Sequence, residues 1–167
     1  MIEAWGELSV RQTFAEAART FTDLVRRIPE RPWDGPGLGE WDLRSLVGHT
    51  SRSLITVETY LGQPADIEEV PTAAAYYVAI ADSDSAAVAE RGRQAGQALG
   101  KNPAEFVAAL RERVLAQVDS AGNPLIHTAA GGMRLENYLS TRTFELVVHS
   151  LDIAAAVPDI EPPQFSC

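Results

Sequence analysis

An all-α bundle is the fold class this sequence predicts. Three observations carry the expectation. Apolar residues recur at i, i+3 and i+4 through several long stretches, Pro and Gly punctuate those stretches, and no segment sustains a period-2 alternation. Long helices joined by short connections pack as bundles.

The first stretch runs from about Glu7 to Ile28, where Leu8, Phe14, Ala18, Phe21, Leu24, Val25 and Ile28 keep helical spacing until Pro29. Residues Pro29–Glu40 hold three glycines and further prolines and read as a loop. Asp42 is a good N-cap for a second helix through Leu43, Leu46, Val47, Leu54, Val57 and Leu61, which Gly62 stops. A third stretch covers Ala73–Leu99 and closes at Gly100. Asp82-Ser83-Asp84-Ser85 interrupts it with residues that prefer caps, so a kink or an extra short helix is expected there. A fourth helix is expected over about Pro103–Val118, with Pro103 in its first turn. Asp119–Arg134 reads as a loop, and a final helix spans about Leu135–Val157 before Pro158. The expected organisation is one bundle domain over residues 1–158 and a loose tail over 159–167.

Composition narrows the function. The chain has 167 residues, 46% of them apolar, enough for one packed domain without disulfides or a structural metal. A net charge of −9 argues against a nucleic-acid surface and against docking on anionic membrane. The single cysteine, Cys167, builds neither a disulfide framework nor a cysteine zinc site. Met1-Ile2-Glu3-Ala4-Trp5 does not open a signal peptide, and no apolar run approaches a membrane span. The expectation is a soluble cytoplasmic protein acting on a small molecule. Lys101 is the only lysine while arginine and alanine abound, a bias of GC-rich bacterial genomes.

The final helix carries the chemistry. Tyr138, Arg142, Glu145, His149 and Asp152 follow one another at spacings of four, three, four and three, which makes one continuous stripe. Phe144, Val147, Val148 and Leu151 flank it, with Leu146 and Ile153 on the opposite side, so the stripe is expected to face the interior or a cavity. Charges placed there must be paired or bind a metal. Glu145 and His149, at i and i+4, aim a carboxylate and an imidazole at one point, but a metal needs more than two ligands. His49 on the second helix, on the stripe Asp42, Leu46, His49, Ser53, Thr56, is the best third ligand. Two histidines and one glutamate leave a coordination position open, as catalytic zinc sites do.

Each residue has a plainer reading as well. Taken alone, His149 also reads as a core histidine hydrogen-bonded to a neighbour, His49 as a satisfied interfacial histidine, and Glu145 as an ion-pair partner of Arg142. Asp152 either orients His149 or pairs with an arginine. Arg142 and Arg52 are anchors for an anionic substrate or structural ion-pair residues. Tyr138 reads as core, His127 as a solvated loop residue, Glu68-Glu69 as solvated surface, and Trp33 and Trp41 as packing for the loop before the second helix.

Trp41-Asp42-Leu43-Arg44-Ser45-Leu46-Val47-Gly48-His49 resembles the W-x-(V/L)-R-x-L-V-(A/G)-H signature of the mycothiol-dependent maleylpyruvate isomerase family, within the DinB-like superfamily. Arg142-Thr143-Phe144-Glu145-Leu146-Val147-Val148-His149-Ser150-Leu151-Asp152 resembles its R-x-x-E-x-x-x-H-x-x-D segment. The two motifs together are fairly specific, and the resemblance covers about residues 5–157. It implies a DinB-like four-helix bundle holding a divalent ion, usually zinc, with the family ligands carried onto His49, Glu145 and His149. It also implies mycothiol as a thiol cosubstrate, an actinobacterial source, and bundles that pair as homodimers. Isomerases of this type carry a second, C-terminal domain, whereas this sequence stops at Cys167, so the expectation covers the metal site and not maleylpyruvate as substrate.

The expected function is therefore that of a metalloenzyme of thiol chemistry, an S-transferase or isomerase in which a metal-bound thiolate attacks a small electrophile. A zinc hydrolase using bound water, or a non-catalytic metal-binding bundle acting as a dimer or partner module, are the alternatives.

Overall fold

The computed structural model describes residues 8–165. Among them lie six helices: α1 (Val10–Arg27), α2 (Leu43–Leu61), α3 (Ala73–Ile80), α4 (Ser85–Ala98), α5 (Pro103–Ser120) and α6 (Leu135–Ala156). The all-α class holds. Glu7, expected to open the first helix, and Cys167 lie outside the described residues.

Local chemistry sets the helix starts. Ser9 and Gln12 form a reciprocal capping box ahead of α1, and Asp42 accepts from Ser45 N at 2.7 Å ahead of α2. The interruption at 82–85 is a true break, because Asp84 caps a new helix by accepting from Ala86 N. The third stretch is thus two helices, with Thr72 capping the first of them.

Four helices close a ring. α1 packs on α5 and α6, and α2 packs on the same two, so the consecutive helices α1 and α2 sit across the ring from each other. Its interior is filled by fully buried Phe14, Phe21, Leu46, Leu54, Leu139 and Leu146. α4 lies outside the ring against α2, at a seam that tolerates no side chain. A Cβ on Gly48 would strike the backbone nitrogen of Gly96, and one on Gly96 would come within 2.8 Å of Arg44 O. α3 packs beside α6.

Two expected loops contain strands instead. β1 (Pro36–Leu38) pairs antiparallel with β2 (Trp41–Asp42) within and just after Pro29–Glu40. Between Asp119 and Arg134, α5 continues to Ser120, and β3 (Leu125–Thr128) then pairs with β4 (Gly131–Arg134). The second hairpin buries Ile126 and Met133 and accepts the segment before α3 along its edge, with Ala65 N donating to Leu125 O and Val70 N to Gly132 O. Strands of two to four residues are too short to show a period, and their glycines and prolines read as turn. Glu69, expected as free surface, accepts from Gly132 N at 2.9 Å.

The tail is not loose over its described part. Pro163 is buried, Ile160 and Phe165 pack on the core, and Arg27 donates to Glu161 O. No helix among the described residues is long and apolar enough to cross a membrane.

Candidate functional site

α2 and α6 are neighbours in the ring, and their facing sides bring His49 to Glu145 and His149. One ligand atom from each of the three lies within 4.8 Å of the others, and all three residues are half-buried. The α6 pair meets along one helix face, with His149 Nε2 3.2 Å from Glu145 Oε2. His149 Nδ1 lies 3.1 Å from Asp152 Oδ2, one turn further on. The Tyr77 hydroxyl of α3 sits 3.0 Å from Glu145 Oε1 and 3.1 Å from Thr141 O. Both oxygens of Glu145 and both nitrogens of His149 therefore have partners.

His49 is placed differently. Its ring stands edge-on to His149, with centroids 4.9 Å apart, and lies against Trp41 with centroids 4.3 Å apart. Trp41 is pinned in turn, since its indole N–H donates to Ala89 O at 3.0 Å and Gly92 leaves room for the ring. His49 Nδ1 is buried and has no hydrogen-bond partner.

These surroundings split the two imidazoles. Burial, and then the neighbouring His149 charge, lower the His49 pKa to about 4, so this ring is neutral at neutral pH. Burial also opposes a charged His149, but the hydrogen bonds to Glu145 and Asp152 outweigh it and raise its pKa. Glu145 pays a similar burial penalty, overcome by His149, the Arg142 charge and the Tyr77 hydroxyl, which hold its carboxyl below the usual range.

A cavity of about 570 Å³ opens beside the cluster, with His49 and Glu145 in its wall. Arg52, Arg142 and Tyr138 line it too, as does Arg91 of α4. Arg142 lies over the rings of Tyr138 and Tyr76, at 4.9 and 5.3 Å, and its Nε donates to Thr141 Oγ1. Among the described residues neither Arg142 nor Arg52 forms an ion pair, which corrects the reading of either as a structural ion-pair residue. For the same reason Glu145 is not the ion-pair partner of Arg142.

The donor set fits a divalent ion. One carboxylate and two imidazoles suit zinc and its neighbours, a neutral imidazole is the ligating form, and a buried ring nitrogen without a partner is what a bound ion or water explains. Asp152 stands where a carboxylate fixes the tautomer of a ligating histidine.

The stripe on α6 faces the cavity with Tyr138, Arg142 and Glu145. Its flanks differ from expectation. Leu146 and Ile153 are fully buried, but Phe144 is 56% and Leu151 47% exposed, so only one flank is core. Tyr138 is core and also cavity wall, its hydroxyl donating to Thr56 Oγ1. His127 is exposed, on β3 rather than in a loop. Three residues at the site escaped the sequence: Tyr77, Arg91 and the stacking role of Trp41. Tyr77 and Arg91 sit in the stretch whose sequence signals were the interruption at 82–85 and the stop at Gly100, and they reach the site through contacts distant along the chain.

No curated relative and no solved structure matches the chain. The model of one family, described as the mycothiol maleylpyruvate isomerase N-terminal domain, matches residues 14–154, a span that takes in all of α2 and the whole polar stripe of α6. The chain belongs to the mycothiol maleylpyruvate isomerase N-terminal domain family.

Proposed function

We propose that this protein is a divalent-metal-dependent enzyme of thiol chemistry, using a mycothiol-type cosubstrate against a small electrophile. The observation that carries the reading is the convergence of His49, Glu145 and His149 in and beside the wall of a cavity large enough for small molecules. Membership in a family named for mycothiol supports the choice of thiol. Held by those three residues, a zinc ion would supply the Lewis acidity that keeps a thiol sulfur in its nucleophilic, deprotonated form.

The chain's own residues do the positioning. Asp152 accepts the Nδ1–H hydrogen bond of His149 and so turns Nε2 toward Glu145 and the cluster. Tyr77 fixes one oxygen of Glu145, so the other points at the cluster. His49 is already neutral and needs to lose no proton. Among the described residues the cavity wall holds no cysteine, and in this reading the cosubstrate supplies the sulfur. In the reaction a bond forms between that sulfur and an electrophilic carbon while the thiol proton passes to solvent. In S-transfer the carbon–leaving-group bond then breaks and the leaving group takes up a proton. In isomerisation the sulfur adds to a conjugated carbon–carbon double bond, whose π pair moves toward the conjugated carbonyl. The remaining single bond rotates, the pair returns to re-form the double bond and expel the sulfur, and the thiol regains its proton from solvent.

Elemental mass spectrometry on tag-free protein tests the site. Near one equivalent of a divalent ion is expected in wild type and none in His49→Ala, Glu145→Ala or His149→Ala. Consumption of an electrophile should then need both the ion and the thiol. Turnover of esters without thiol would replace this reading with metal-assisted hydrolysis. A wild type that stays empty after loading with zinc and nickel would leave a non-catalytic bundle.

A further inference from the structure

We propose that Arg52 of α2 and Arg91 of α4 form an oxyanion site on the cavity wall, so that the electrophilic substrate carries a carboxylate or phosphate group. The inference rests on the cavity being the substrate site of the function above.

The chain is rich in acid, with 23 Asp and Glu against 14 Lys and Arg. Arginine elsewhere finds partners readily: Arg11 pairs with Glu136, Arg93 with Glu90 and Glu40, and Arg113 with Glu58. At the cavity the balance reverses. Three guanidiniums line it, and the one carboxylate among its lining residues, Glu145, is already engaged by Tyr77 and His149. Among the described residues Arg52 and Arg91 have no ion pair, and neither side chain makes a hydrogen bond.

The three arginines are not equivalent. Arg142 is committed to two tyrosine rings and to Thr141. Arg52 and Arg91 come from the two helices joined at the Gly48–Gly96 seam, and both line the same cavity. Burial and then the nearby Arg91 charge lower the Arg52 pKa. An oxyanion placed there relieves the repulsion and accepts charge-assisted hydrogen bonds from both forks. Such a group would hold the substrate by one end while its reacting carbon lies toward His49 and Glu145.

Isothermal titration of the full chain with succinate and with inorganic phosphate, at fixed ionic strength, tests this. It is run on zinc-loaded protein and again after chelation, so that binding to the ion is told apart from binding to the arginines. Saturable binding is expected in both states for at least one probe, and the probe that binds identifies the group. Arg91→Gln and Arg52→Gln should each weaken it about tenfold or more, while Arg113→Gln, whose partner is Glu58, leaves it unchanged. Arg91 is exposed on α4, so its replacement keeps the fold and the test decisive. No binding of either probe, or binding equal in wild type and both variants, overturns the site. Protein that holds zinc but binds neither probe overturns this inference alone. Protein that binds a probe without ever holding an ion overturns the metal reading alone.

Discussion

His149 and His49 stand 4.9 Å apart between ring centres, yet their helices prepare them in opposite ways. On α6 the partners lie within one helix, with Glu145 a turn before His149 and Asp152 a turn after, so the ring is held at both nitrogens. On α2 the partners are steric and come from outside the helix. The Trp41 ring and the glycine seam with α4 hold His49, and its Nδ1 bonds to nothing. One side of the cluster is positioned by hydrogen bonds and the other by packing. The first should respond to loss of a polar atom and the second to gain of a methyl group.

The largest effect is expected at the seam. Gly48→Ala forces a Cβ into the Gly96 backbone and should cost about 2–3 kcal/mol in urea unfolding, despite the helix propensity alanine adds. A neutral substitution would show that α2 and α4 do not meet this closely. Acid titration of chelated protein sharpens the contrast between the histidines. His49 has a pKa lowered from 6.5 to about 4, so its contribution is present above pH 6.5 and lost as pH falls toward 4. His149 has a raised pKa, so its contribution is present below pH 6.5 and lost as pH rises through the raised value. Wild type should therefore lose roughly 2 kcal/mol more than His49→Gln between pH 7 and 4, read as the change in unfolding free energy. Equal losses would mean that His49 is not buried in its neutral form.

The polar side gives smaller numbers. Asp152→Asn should weaken zinc about tenfold in a chelator competition, because a neutral amide oxygen accepts the Nδ1–H hydrogen bond more weakly than a carboxylate and adds no negative charge. Unchanged affinity would remove Asp152 from the site. Tyr77→Phe deletes one hydrogen bond to Glu145 and should cost about 1 kcal/mol of metal affinity in the same assay, the smallest effect of the four.

What the sequence disclosed follows the same division. The α6 half was legible because helix periodicity alone sets Arg142, Glu145, His149 and Asp152 in one line. His49 was legible as a histidine on a polar stripe between a clear cap and a clear stop. The contacts made by packing were not. Gly48, Gly92 and Gly96 carry no sign of which helix comes close, and Tyr77 meets Glu145 only because α3 folds back beside α6. Arg91 carried no signal in the sequence, and it joins Arg52 at the cavity only through the packing of α4 on α2. The hairpins stayed hidden because their pairing uses backbone groups and needs little from the side chains.

The ring order of the helices has a consequence for how the protein comes into being. His49 precedes Glu145 and His149 in the chain by most of the bundle, with α3, α4 and α5 between them. During synthesis the first ligand leaves the ribosome long before the other two. A nascent chain without α6 offers a lone imidazole, which no ion occupies for long. On the proposed metal reading, capture of an ion waits until α6 has been made, and a product truncated before α6 lacks two of the three candidate ligands.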